Sequence, residues 1–178
     1  MSLKEAARVH AHKLKKIKVV AFDLDGILTN AYIWWASEEV GFNRSFNIYD
    51  GYGMKVLMKA GLKVGVITGG DSVSVSKRVE NLKLSFCYMG NEDKREAFKD
   101  LMVKYSVNAD EILYMGDELF DLPLLRKAGF SATVPNTSDE VKEAVDYVTI
   151  RKSGEGCARE VMDLLRYAQD ILPIHEDF

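Results

Sequence analysis

Short apolar runs alternate with segments of helical period along most of the chain. The runs are "KVVAFDL" (18–24), "KVGVITG" (63–69), "SFCYMG" (85–90), "EILYMG" (111–116) and "FSATV" (130–134). Each is short, rich in β-branched or aromatic residues and apolar on both faces, as a strand covered on two sides must be. Between them, 53–60, 72–82, 94–105 and 120–128 repeat their apolar residues at helical spacing. Strand, helix, strand, repeated, predicts an α/β fold: a doubly wound, Rossmann-like parallel sheet with right-handed crossovers. "YVTI" (147–150) adds a short edge strand and "EGCAREVMDLLRYAQ" (155–169) a C-terminal helix.

One region departs from the alternation. Around "SEEVG", two β-rich stretches carry Trp34, Trp35, Phe42 and Phe46, which reads as a β-hairpin inserted at about 31–50 after the first strand. It is too small for a separate cap domain. Its rings either pack on the parent domain or form a subunit interface. The chain of 178 residues is 47% hydrophobic and 29% charged, which fits one domain spanning 1–178, with a C-terminal tail at about 151–178. A formal net charge of −3 without a basic run argues against nucleic-acid binding. The longest wholly apolar stretch, "AYIWWA", is far too short to span a bilayer, and the N-terminus shows no apolar signal core. The expectation is a cytoplasmic protein with no membrane partner. Cys87 and Cys157 are expected as reduced packing residues. His10, His12 and His175 are expected at the solvated surface.

Ligands of open α/β sheets bind at the carboxyl ends of the strands. Here the first tip offers Asp23 and Asp25, the second Thr68 and Gly69, and the fourth Asp117, with Asp121 one helical turn on; Lys94 follows the third. A single strand-end aspartate is ordinarily a cap or turn residue, and a lone lysine a solvated one. A pair of carboxylates at the end of a buried strand costs stability unless a cation meets it. Acids without nitrogen or sulfur partners select a hard cation, Mg²⁺ above all. This set suits a phosphate ester: Asp23 as nucleophile, Asp25 as acid and then base, Thr68 and the Gly69 amide on the phosphoryl oxygens, Lys94 against developing charge, and Asp117 on the metal. Strand alternation sends residues 23 and 25 to one side.

"DLDGILT", "ITG", the lysine of "DKREAF" and "GDELFD" resemble, in order, the four motifs of the haloacid dehalogenase superfamily of phosphohydrolases. From about 18 to 165 the chain is similar to its 3-deoxy-D-manno-octulosonate 8-phosphate phosphatase group, on "FNIYDGYGMKVLMKAG", Arg78 and "SGEGCARE". The resemblance implies a keto-sugar acid phosphate as substrate, of eight or nine carbons, in lipopolysaccharide sugar biosynthesis. It implies Mg²⁺ held by Asp23, Asp117 and the backbone carbonyl of Asp25, and a homotetramer in which hairpins and tails complete neighbouring sites. Arg78 and Asp50 join Gly69 at the substrate, Asp121 and Glu118 support the site, and Arg78 has Glu80 or Asp100 as alternative partners. Gly70 stands where the group usually carries arginine, Glu118 where a third aspartate is usual, and "SGEG" replaces a double glycine. Two rival functions are a receiver-type phospho-acceptor, whose aspartate would end the third strand, and a non-catalytic assembly subunit. "SFCYMG" ends without an aspartate, and the complete acid set favours an enzyme.

Overall fold

The computed structural model describes residues 1–172; His175 and the last six residues of the expected tail lie outside the described residues. Six parallel strands form one sheet: β1 (Val19–Phe22), β4 (Lys63–Ile67), β5 (Phe86–Tyr88), β6 (Ile112–Met115), β7 (Phe130–Thr133) and β8 (Tyr147–Val148). A separate antiparallel pair, β2 (Trp34–Ser37) and β3 (Gly41–Asn43), is the hairpin. The sheet order is β5-β4-β1-β6-β7-β8. From β1 the chain winds outward through β4 and β5, then returns past β1 to wind the other way. The reversal opens a crevice at the carboxyl end of β1.

The strands are buried on both faces because helices cover both. Val20 and Phe22 of β1 pack with α1 (Leu3–Val9), α3 (Ile48–Lys59), α4 (Val73–Leu82) and α8 (Cys157–Ala168). Val19 and Ala21 point the other way, to α5 (Arg95–Tyr105), α6 (Leu122–Leu125) and α7 (Asp139–Glu143). A four-residue helix, α2 (Ala11–Leu14), links α1 to β1.

Several boundaries differ from the sequence expectation. The first helix after the hairpin starts at Ile48, not 53, because Asn47 caps it by accepting from the Tyr49 amide at 2.9 Å. The segment 120–128 divides into a 3₁₀ turn, Leu119–Asp121, and the short α6, with Pro123 in its first turn. The N-terminal α1, which periodicity did not single out, is set by a capping box between Ser2 and Glu5. Within the expected tail, α8 belongs to the core: its Cys157, Val161, Leu164 and Leu165 are fully buried. His10 is not a solvated side chain either. It is half-buried, edge-on to Phe130 at 5.3 Å, and burial lowers its pKa. His12 is exposed as expected. Cys87 and Cys157 are free thiols.

The hairpin rings are not all placed alike. Phe46 packs against the core, whereas Trp34, Trp35 and Phe42 stay 46%, 53% and 50% exposed. Among the described residues no helix is long and apolar enough to cross a membrane.

Candidate active site

The tips of β1, β4 and β6 bring together the residues the motifs single out. Asp23 follows β1 directly, its amide donating to Met115 O at 2.8 Å, and its side chain is almost wholly buried. Lys94, at the start of α5, reaches the same point. Its Nζ lies 2.8 Å from Asp23 Oδ1, 2.7 Å from Asp121 Oδ1 and 3.2 Å from the Tyr114 hydroxyl. Phe120 lies over this ammonium at 4.7 Å. Lys94 is therefore no solvated helix residue; it bridges two buried carboxylates.

Asp121 is the hub of the array. Oδ1 accepts from Lys94 and from Tyr114 Oη at 2.5 Å, and Oδ2 accepts from the amides of Asp117 and Glu118, each at 3.1 Å. Both oxygens are thus occupied with holding lysine and loop. Asp117 differs: among the described residues its Oδ1 is buried without a hydrogen-bond partner. Oxygens of Asp23, Asp117 and Asp121 lie within 4.8 Å of one another. One ammonium among three such acids leaves an excess of negative charge in a poorly solvated place, with one oxygen uncommitted. That donor set, all oxygen, fits a hard divalent cation.

Burial followed by repulsion from Asp121 pushes Asp23 up to about 7, despite its contact with Lys94. Burial followed by repulsion from Asp23 and Asp121 pushes Asp117 up to about 8. In the unfolded chain both acids ionise in the ordinary aspartate range, so from there to about 8 the folded, metal-free protein holds more protons than the unfolded chain. Its stability accordingly falls as pH rises through this window. A bound divalent cation removes the repulsion. The melting temperature without metal is expected to drop from about pH 5 to about pH 8, and the Mg²⁺-induced rise to grow over the same range, reaching about 5–10 °C at metal 100-fold above its Kd. A Mg²⁺ shift independent of pH in scanning calorimetry would separate metal binding from these two acids.

Asp25 is placed by a turn, not by strand alternation. β1 ends at Phe22, and the backbone coils so that Leu28 N donates to Leu24 O at 2.9 Å. Gly26 makes the turn possible. It has φ +88°, and a Cβ there would lie 1.9 Å from Asp117 Oδ2. The Asp25 carboxylate is chelated by Arg44, with Nε 2.7 Å from Oδ1 and Nη2 2.9 Å from Oδ2, and Thr29 Oγ1 donates to Oδ1 at 3.2 Å. Thr68, buried at the tip of β4, accepts from the Gly70 amide at 3.2 Å. A Cβ at Gly70 would lie 3.5 Å from Asp25 Oδ2 and 3.7 Å from Thr68 Oγ1, so Asp25 and Thr68 flank one gap. Gly69, half-buried, follows Thr68 at its edge.

Asp50 and Arg78 form a separate group. Asp50, expected at the substrate, is 2% exposed; its Oδ1 accepts from the Arg159 amide at 2.7 Å, capping the start of α8. Burial pushes it up to about 6. The Oδ1 bond fastens α3 to α8, while Oδ2 is buried without a hydrogen-bond partner among the described residues. Arg78 pairs with neither Glu80 nor Asp100. Its Nη2 donates to Asn47 O at 3.2 Å and its guanidinium lies over Phe46 at 5.4 Å. Glu118 is exposed and caps the 3₁₀ turn, accepting from Leu119 N at 3.2 Å. The sequence reading missed Tyr114 and Arg44. A tyrosine inside the apolar "EILYMG" run and an arginine on the return limb of the hairpin were the available signals.

Comparison with known proteins bears on this arrangement. A haloacid dehalogenase-like hydrolase profile matches residues 88–161. The 3-deoxy-D-manno-octulosonate 8-phosphate phosphatase of Haemophilus influenzae is 36% identical over 157 residues, covering 88% of this chain and 87% of the relative. The chain belongs to that phosphatase family, within the haloacid dehalogenase-like hydrolases. The Escherichia coli K12 phosphatase of the same name is 34% identical over 159 residues, 88% of this chain and 83% of its own. The crystal structure of the Moraxella catarrhalis phosphatase, in complex with a magnesium ion, a phosphate ion and a KDO molecule, superposes with a TM-score of 0.87 at 34% identity, over 92% of this chain and 93% of that one. This phosphatase thus carries the family's α/β fold with the small hairpin as its insertion.

Proposed function

We propose that this phosphatase hydrolyses 3-deoxy-D-manno-octulosonate 8-phosphate to the free sugar acid and phosphate, through an aspartyl-phosphate on Asp23, as a cytoplasmic enzyme of lipopolysaccharide sugar biosynthesis acting in a single domain of residues 1–178. The carrying observation is the buried Asp23–Lys94–Asp121 array at the strand tips, with the uncommitted oxygen of Asp117 within reach of it.

Asp23, Asp117 and the backbone carbonyl of Asp25 would hold Mg²⁺. The ion supplies charge neutralisation between the anionic ester and the attacking carboxylate. Asp23 attacks phosphorus and forms the new oxygen–phosphorus bond as the bond to the sugar oxygen breaks. Asp25 gives its proton to that departing oxygen. Thr68 and the Gly69 amide hold the phosphoryl oxygens, and Lys94 keeps the Asp23 carboxylate oriented and offsets developing charge. Asp25 then takes a proton from water, which attacks the aspartyl-phosphate; phosphate leaves and Asp23 is regenerated. Arg78 meets the sugar carboxylate, while Asp121 and Glu118 hold the loop that carries Asp117.

The missing side chain at Gly70 widens the site next to Thr68 and Asp25, which gives the nine-carbon keto-sugar acid 9-phosphate a place as second substrate. A screen of phosphorylated sugar acids with Mg²⁺, measuring phosphate release, tests both. Highest kcat/KM is expected on the eight-carbon ester; activity confined to unrelated esters would refute the assignment.

The half-exposed Trp34, Trp35 and Phe42 support assembly through the hairpin into a homotetramer, since an isolated projecting hairpin with bare rings is an aggregation liability. Light scattering at micromolar concentration is expected to report a tetramer that Trp35→Ser shifts toward smaller species. A monomeric wild type would contradict this.

A further inference from the structure

Arg44 has no role in the scheme above, yet it is the most tightly engaged cation at the mouth of the site. It lies one residue past β3, on the limb returning from the hairpin, and its side chain is only 7% exposed. Two separate elements meet on its guanidinium, the turn after β1 and the start of α4. Nε and Nη2 span both oxygens of Asp25, and Nη1 donates to Ser72 Oγ at 2.6 Å and, more weakly, to Ser74 Oγ at 3.4 Å. Ser72 is itself the cap of α4, accepting from Val75 N. The guanidinium is thus anchored to a helix start before it touches the acid.

A planar fork on both carboxylate oxygens fixes the carboxylate plane as well as its position, which a single donor cannot do. Thr29 holds Oδ1 from a third side. The geometry leaves clear the side of Asp25 that faces Thr68. A Cβ at residue 70 would lie 3.9 Å from Arg44 Nη2 and 3.5 Å from Asp25 Oδ2, and a longer side chain would compete for that space.

We infer that Arg44 is a positioning residue for the reaction: its chelate, anchored on Ser72, holds the Asp25 carboxylate aimed into the gap beside Thr68, so that the hairpin limb which delivers Arg44 helps to set proton transfer. The inference rests on Asp25 being the acid and base, and the test separates the two. Arg44→Ala is expected to lower kcat on the sugar-acid phosphate about 10- to 100-fold with little change in KM, the cost of a misaimed group. Arg44→Lys, a point charge unable to span two oxygens, falls between. With an aryl phosphate, whose leaving group needs little protonation, Arg44→Ala gives a burst of aryl alcohol followed by slower turnover, a signature that loosened packing alone does not produce.

The deciding measurement is a double-mutant cycle. If Arg44 works through Asp25, adding Arg44→Ala to Asp25→Asn costs less than about 3-fold further. Losses that multiply, or a raised KM at unchanged kcat, would make Arg44 a direct substrate contact and overturn the inference. Should Asp25→Asn itself retain full activity, the acid–base reading falls instead. Circular dichroism and the Mg²⁺-induced melting shift on each variant, with Arg44→Lys as the charge-preserving control, keep misfolding from imitating either result.

Discussion

Asp23→Asn is expected to lower phosphate release by at least about 10⁴-fold while raising the melting temperature of the metal-free protein. The two effects share a cause. An amide oxygen still accepts from Lys94, which lies 2.8 Å from the carboxylate it replaces, so the local packing and the lysine contact persist. In the proposed mechanism the lost charge is the nucleophile. It is also one of the three acids crowded around a single ammonium, and its removal relieves the repulsion that, added to burial, pushes Asp117 up to about 8. A site that is destabilised for its chemistry gains stability when the chemistry is removed. Steady-state phosphate release and calorimetry in EDTA measure the pair. Turnover like wild type would take the nucleophile's role from Asp23. A lower melting temperature without metal would show that Asp23 and Lys94 attract each other more than the acids repel.

The strand tips were legible because buried parallel strands write themselves as continuous apolar runs, and polar residues at their carboxyl ends stand out against them. Asp23, Thr68 and Asp117 all emerge this way. What stayed hidden depends on contacts between elements far apart in sequence. Arg44 sits in a hairpin whose polar residues carry no periodic signal, and its meaning comes only from the approach of Asp25, Ser72 and Ser74. Tyr114 reads as one more apolar residue of β6 until its hydroxyl is seen donating to Asp121. Asp50 has a contact that its motif does not announce. One oxygen of its carboxylate closes the open amide end of α8, a helix whose cap position, Gly156, has no side chain to do so, and a contact across 109 residues carries no local signal.

Asp25→Asn is expected to lower turnover of the sugar-acid phosphate by about 10²- to 10⁴-fold, the range that general acid–base catalysis supplies. The substitution keeps the backbone carbonyl, so Mg²⁺ binding, read from the melting shift, is expected to persist; metal loss is then excluded as the cause. It changes what the side chain can do in both halves of the reaction. An amide has no proton to give the departing alkoxide, a poor leaving group, and cannot take one from water afterwards. The halves separate experimentally through the leaving group. An aryl phosphate needs little protonation, so Asp23 is still phosphorylated, and the aspartyl-phosphate accumulates for want of a base to activate water. Rapid mixing should show a burst near one equivalent of aryl alcohol per site, followed by slow release, and the trapped intermediate should carry the added phosphate on Asp23. The chelate by Arg44 adds a constraint of its own, because an asparagine amide nitrogen facing Nε or Nη2 would set donor against donor. The asparagine must therefore lose one of the two contacts, and part of the measured loss belongs to orientation. Asp25→Glu separates that part: it restores a transferable proton on a longer arm, so its remaining deficit measures aim alone. Undiminished steady turnover of both substrates in Asp25→Asn, with no burst, would assign proton transfer to another group.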